Sequence, residues 1–112
     1  MQRSFTVPQL LGQQTQSGLA YQEFLRVTSL SAGIYVLKAG VVDQQRPHSE
    51  DEVYYVLNGQ AQMRLVVSGK EENLKVIPGT VIFVNAGEEH RFHSITEDLA
   101  VLVIFAPAET QG

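Results

Sequence analysis

The chain has 112 residues and no cysteine, enough for one domain that buries about two thirds of its unfolded surface, with disulfides, thiolate metal sites and cysteine nucleophiles excluded. Eight basic and twelve acidic residues give a formal charge of -4, with no basic stripe to neutralise phosphates, so no nucleic-acid partner is expected. No run approaches the ~18 apolar residues of a membrane span, and Met1 to Pro8 lacks the apolar core of a signal peptide, so a cytoplasmic protein without membrane contact is expected.

Residues 1–20 carry little pattern. Gln9, Gln13, Gln14 and Gln16 surround Leu10-Leu11, which suits one short helix opened by Pro8. This N-terminal arm reads either as a loose terminus or as a cover for an opening or a neighbouring subunit. From Tyr21 the texture changes to short β-forming runs separated by turn residues. Strands are expected at 21–27, 33–38, 52–58, 61–67, 74–77, 81–84, 90–95 and 99–105. Eight strands imply an all-β jelly-roll barrel over residues 21–107, with 108–112 as a C-terminal tail. Asn58-Gly59 is the dipeptide of a type I′ hairpin, Ser68-Gly69-Lys70 opens a polar loop, and Pro78-Gly79 suits a type II turn. Val81 to Val84 and Val101 to Phe105 are continuously apolar, as in strands covered on both faces, whereas Gln62 to Leu65 alternate as in a strand with one wet face.

Two stretches carry the chemistry. In the first, His48, Glu52, Tyr54 and Val56 share parity, opposite to Val53, Tyr55 and Leu57. Four residues of strand span ~13 Å, so a bend after Pro47, supplied by Ser49-Glu50-Asp51, must bring His48 and Glu52 together. In the second, Gly87-Glu88-Glu89 turns the chain so that His90 opens a strand, with Phe92 on its face and Arg91 and His93 on the other. His90 is therefore a candidate ligand and His93 is not. No phosphate loop or nucleophile elbow is present, and Ser49 beside His48 cannot form a triad because neighbouring strand residues point apart.

Both stretches resemble the two signature motifs of the cupin superfamily. The first pattern, G-x5-H-x-H-x3,4-E-x6-G, is met by Gly40, Arg46, His48, Glu52 and Gly59. The second, G-x5-P-x-G-x2-H-x3-N, is met by Gly79, Asn85, Gly87, His90 and Ser94. Every spacing holds, over about residues 33–106. Three positions depart: Arg46 replaces the first histidine, Asn85 the proline and Ser94 the asparagine. Arginine offers no lone pair to a metal.

The resemblance implies a double-stranded β-helix with one divalent transition metal held by His48, Glu52 and His90. Two nitrogens, one oxygen and open positions suit iron(II), manganese, nickel, cobalt or zinc. Gln45 or Gln44 can add an amide oxygen; Gln44 has the parity, but Gln45 is nearer and is preferred. Arg46 either reaches the substrate pocket to anchor an anion or is an exposed loop residue, and Tyr54 and Phe92 are expected to line the pocket. A metal-dependent enzyme follows, oxygenase-like, acting on a small molecule, an anion where Arg46 anchors it. A metal-dependent isomerase or epimerase and a non-catalytic ligand-binding module are the alternatives, with a metal-free structural cupin behind them. The resemblance also implies a homodimer, formed through Val101 to Phe105 or Tyr21 to Val27.

Overall fold

In the computed structural model, which describes residues 1–110, the apolar alternation from Tyr21 onward becomes six strands behind one helix. The elements are α1 (Val7–Ser17), β1 (Tyr21–Val27), β2 (Leu30–Leu37), β3 (Asp51–Val67), β4 (Lys70–Val76), β5 (Val81–Val84) and β6 (His90–Ala106). Among the described residues no helix is long and apolar enough to cross a membrane.

α1 forms because both ends are satisfied. The Thr6 hydroxyl accepts from Gln9 N at 3.2 Å, Pro8 sits in the first turn, and Gly18, at φ 69°, stops the helix. Leu10 is buried and Phe5 packs edge-on against Phe24, with ring centroids 5.0 Å apart. On β2 the side chains of Tyr35 and Leu37 pack into the barrel, so the buried Ala32 and Ile34 face outward, where α1 lies against β1 and β2. The N-terminal arm is thus docked on the barrel's outside and does not cover its opening.

The eight expected strands become six because two boundaries vanish. β3 runs through Asn58-Gly59 without reversing, and β6 runs through residues 96–98. The two pair antiparallel from Asp51↔Ala106 to Leu65↔His90, with register shifts between Val56 and Gln62. Gly59, at φ 98°, sits where a Cβ would meet the Asp98 carbonyl and Leu99 Cα, so the glycine serves a close strand crossing at a bulge. The tight hairpin lies ten residues on: Ser68 (φ 50°) and Gly69 (φ 76°) both take the positive φ of a type I′ turn and close Val67 against Lys70. Pro78-Gly79 forms the expected turn, with Thr80 N donating to Ile77 O at 3.1 Å and Gly79 at φ 90°.

The bulges bend β3 and β6 so that one ladder serves two layers. Their halves at 51–58 and 99–106 lie between β2 and β5 in the order β1-β2-β6-β3-β5, while their halves at 61–67 and 90–93 pair with each other beside β4. Between the layers Tyr54, Val56, Met63, Phe92, Val101 and Val103 are almost fully buried, each worth about 1.5–3 kcal/mol relative to exposure. This is a jelly-roll barrel. Val81 and Phe83 depart from expectation: they are 63% and 52% exposed, so β5 is covered on one face only.

Candidate metal centre

The inward face of β3 carries Glu52 and Tyr54, and the start of β6 carries His90. These three side chains are at most 1% exposed. His48 reaches them from the loop before β3, which bends at Ser49 and Glu50 as the spacing requires. Its carbonyl accepts from Gly87 N at 2.7 Å, which ties the first motif's loop to the second motif's turn. His48, Glu52 and His90 can each offer one ligand atom with all three atoms within 4.8 Å of one another.

Hydrogen bonds fix which atoms point inward. His90 Nδ1 lies 2.9 Å from Glu88 O, and a carbonyl only accepts, so Nδ1 carries the proton and Nε2 presents a lone pair. Nε2 lies 3.2 Å from Glu52 Oε2 and 3.1 Å from the Tyr54 hydroxyl. His48 Nδ1 lies 3.2 Å from the same Glu52 Oε2, while its Nε2 lies 3.3 Å from Glu109 Oε2. The Tyr54 hydroxyl is also 2.9 Å from Glu52 Oε1 and 2.9 Å from Gln45 Oε1. With one proton it faces three acceptors.

The centre thus holds more lone pairs than protons, the condition a cation relieves, and the donors fit a divalent metal of nitrogen-oxygen preference. Protonation of His48 is the other form of relief. The Glu52 hydrogen bond, assisted by the charges of Glu52, Glu109 and Glu50, holds the His48 pKa above the usual imidazole value despite burial. Burial drives the Tyr54 hydroxyl well above the usual phenol range, with Glu52 adding to it, so Tyr54 is neutral.

Gln45 is oriented for the site. Its backbone N and Nε2 donate to Asp43 at 3.1 and 2.9 Å, which leaves Oε1 facing Tyr54. Gln44 is exposed. Arg46 is also exposed and lies outside the lining of the adjoining cavity, so its placement matches the loop arginine and not the anion anchor. Phe92 is core, fully buried with its ring edge-on to Tyr54 at 5.3 Å, and neither Phe92 nor Tyr54 lines that cavity, since Tyr54 turns its hydroxyl to the centre instead. His93 points outward to Asn73 Oδ1 at 2.7 Å. Ser94, in the motif's asparagine position, has φ 51°, the left-handed region that asparagine tolerates better than most residues.

Two residues were not singled out from the sequence. Asp43, fully buried, accepts from the Tyr35 hydroxyl at 2.9 Å, Gln45 twice, and Phe92 N at 2.9 Å, so it locks the loop against β6. Glu109 lies in the segment assigned to a tail, yet it contacts His48. Burial raises the Glu109 carboxyl pKa, with Glu50 and Glu52 adding to it and His48 opposing. A lone aspartate in a loop and a glutamate near a terminus have no periodicity or spacing that marks them.

A cavity of about 140 Å³ adjoins the centre, lined by Tyr21, Tyr35, Gln45, His48, Phe105 and Glu109 along with Val103. A wider groove of about 690 Å³ lies beyond Tyr21 and Glu109, which border both.

Residues 33–105 match the family model of the cupin domain. A relative described as an uncharacterized protein of Streptomyces coelicolor is 41% identical over 108 residues, covering 96% of this chain and 99% of its own length. Fe(II)-HppE with an alternative substrate superposes with a TM-score of 0.64 at 16% identity, over 76% of this chain and 48% of that one. Oxalate decarboxylase of Bacillus subtilis gives 0.67 at 23% identity, over 71% and 22%. The chain spans less than half of either enzyme, and at these identities the likeness is one of fold. With both motifs in register and the family model matched across the barrel, the chain belongs to the cupin family.

Proposed function

We propose that the chain is a small metal-dependent enzyme that holds one divalent transition metal through His48, Glu52, His90 and the Gln45 amide oxygen. The observation that carries this reading is the surplus of lone pairs around Glu52 Oε2, faced at 3.2 Å by a nitrogen of each histidine. When bound, the ion supplies Lewis acidity and open positions for a small molecule or dioxygen.

The chain's own groups shape the rest. Val103 and Phe105 give the cavity an apolar wall that limits water, and the hydroxyls of Tyr21 and Tyr35 are placed along it. The Tyr21 hydroxyl is buried without a hydrogen-bond partner among the described residues, which leaves it free to bind a substrate polar group. The Glu109 carboxylate forms part of the same wall, and Arg46 stands outside it. A neutral or cationic small molecule therefore suits the cavity better than an anion, and Arg46→Ala should leave ligand affinity unchanged.

The oxygenase-like reading rests on the two-histidine, one-carboxylate donor set, with the iron of HppE in support. The second reading, a metal-dependent isomerase or lyase, is favoured by the tyrosines and Glu109 beside the centre, groups able to hold or move a proton. Iron(II)-loaded protein supplied with enolisable and phenolic small molecules tests both. Oxygen consumption supports the first, anaerobic conversion supports the second, and ligand-induced thermal shifts without turnover indicate a binding module.

A homodimer is part of the proposal. Two rows cross the outer sheet face, Leu102-Tyr55-Val81 and Ile104-Val53-Phe83, beside the part α1 covers. Tyr55, Val81, Phe83 and Ile104 are more than a third exposed, a contiguous apolar patch of the kind that marks an interface. Phe83→Lys should convert a dimer into a monomer in sedimentation, and a wild-type monomer at high concentration removes the proposal.

A further inference from the structure

Tyr21 and Glu109 stand between the outer groove of about 690 Å³ and the cavity of about 140 Å³ that adjoins the centre. The two sides of this partition are held differently. Glu109 is fastened along its backbone: its N donates to Ser31 Oγ at 2.8 Å, and its carbonyl accepts from Arg26 Nη2 at 2.8 Å. Its neighbours are fastened too. Ala108 N donates to Thr28 O at 3.4 Å, and Thr110 donates through N and Oγ1 to the buried Glu50 Oε2 at 3.3 and 2.8 Å.

Tyr21 has no such fastening at its tip. Its backbone is fixed opposite Tyr35 in the β1–β2 ladder, but its hydroxyl is buried without a hydrogen-bond partner among the described residues. Burial also raises the phenol pKa, so the hydroxyl is neutral. What holds the ring is shape. It packs edge-on to Tyr35 and Phe105, with centroids 6.5 and 6.1 Å away, and its tip occupies the space that a Cβ at Gly33 would fill. Gly33 lies within β2 without the positive φ of the turn glycines, so what its missing side chain provides is the seat for this ring. The unpartnered hydroxyl disfavours the seated position, and rotation towards the groove gives it water.

We infer, on the metal reading above, that Tyr21 is the gate between the groove and the metal centre and the residue that sets which ligands the centre accepts. Seated on Gly33, the phenol closes the cavity; rotated outward on its fixed backbone, it admits a ligand from the groove. Glu109 is the jamb of this gate, and Tyr21 is the part that moves. A cavity of about 150 Å³ holds one benzene, so the ligand enclosed behind the seated phenol is a small molecule of that size. A larger one keeps the gate open and forfeits the closed form.

The experiment loads the protein with cobalt(II), whose visible spectrum reports each new ligand, and titrates it with imidazole and with 4-phenylimidazole. In the wild type, imidazole should bind about tenfold or more tightly than the phenyl derivative, which cannot be enclosed. Tyr21→Ala removes the gate and should abolish this discrimination. Gly33→Ala leaves the phenol but takes its seat, and should relax the discrimination likewise. Tyr21→Phe keeps the gate and removes the unpartnered hydroxyl, so discrimination should persist while imidazole associates severalfold more slowly in stopped-flow traces. Equal binding of the two probes by the wild type, wild-type discrimination in Tyr21→Ala, or cobalt uptake without imidazole binding overturns the proposal and leaves the metal reading standing. If the alanine variants fail to fold, wild-type discrimination and the slower association of Tyr21→Phe decide. No cobalt uptake by the wild type overturns the metal reading and this proposal with it.

Discussion

The two histidines reach one centre by opposite means. His90 is built locally: it opens β6, its side chain is fully buried, and Glu88 O two residues earlier sets its tautomer. His48 is built from a distance: it stands outside regular structure, 21% exposed, and depends on Gly87 N for its carbonyl, Glu52 for its ring, and Asp43 for the loop on which it sits. Half of the centre is thus fixed as soon as the strand forms, whereas the other half requires the finished fold.

That contrast can be broken most severely at Glu52, which serves both sides. Glu52→Ala should reduce metal affinity by more than the ~100-fold upper range of indirect effects, as measured by calorimetry; His90→Ala should match it. Retained binding in either variant contradicts the ligand assignment. Asp43→Ala comes next, because it removes the acceptor of four hydrogen bonds in a buried place. Leaving buried donors unpaired costs about 1–3 kcal/mol each at most sites, so a lowered Tm should accompany weaker metal binding through the freed Gln45.

Acidity gives a further test at His48. With its folded pKa raised, His48 contributes ion-pair stability to the metal-free protein that is complete below the ordinary imidazole value. This contribution is lost as pH rises through the folded value. Metal affinity runs the other way: uptake must displace the His48 proton, so affinity should rise about tenfold per pH unit until that value is passed. A flat profile between about pH 6 and 8 would contradict the assignment. The smallest effect belongs to Thr6→Ala, which should cost about 1 kcal/mol by uncapping α1 while metal affinity stays put, since α1 lies on the outer face, away from the centre.

Much of this was legible in the sequence. The spacing of Gly40, His48, Glu52 and Gly59, with that of Gly79, Gly87 and His90, carried the resemblance that implied the fold, and strand parity made His48 and Glu52 face together, where the structure brings His90 to meet them. Asn58-Gly59 misled for a physical reason. A positive-φ glycine suits a hairpin and a strand crossing equally, and only Asp98 and Leu99, distant in sequence, decide between them. Val81 and Phe83 misled likewise, since an apolar run does not say which of its faces the same chain will cover. Asp43 and Glu109 were illegible because their partners, Phe92 and His48, lie far along the chain and impose no local pattern.

The β3–β6 ladder has a kinetic consequence. Its pairs are nested, from Leu65↔His90 nearest in sequence to Asp51↔Ala106 farthest, and Glu52 opposite Phe105 belongs to the last rungs. If the ladder closes from its short loop outward, as loop-closure entropy favours, the ligands converge only after most of the barrel exists. Metal should then slow unfolding severalfold and leave the refolding rate unchanged in stopped-flow traces. A centre completed late acts as a latch on the folded barrel, not as its nucleus.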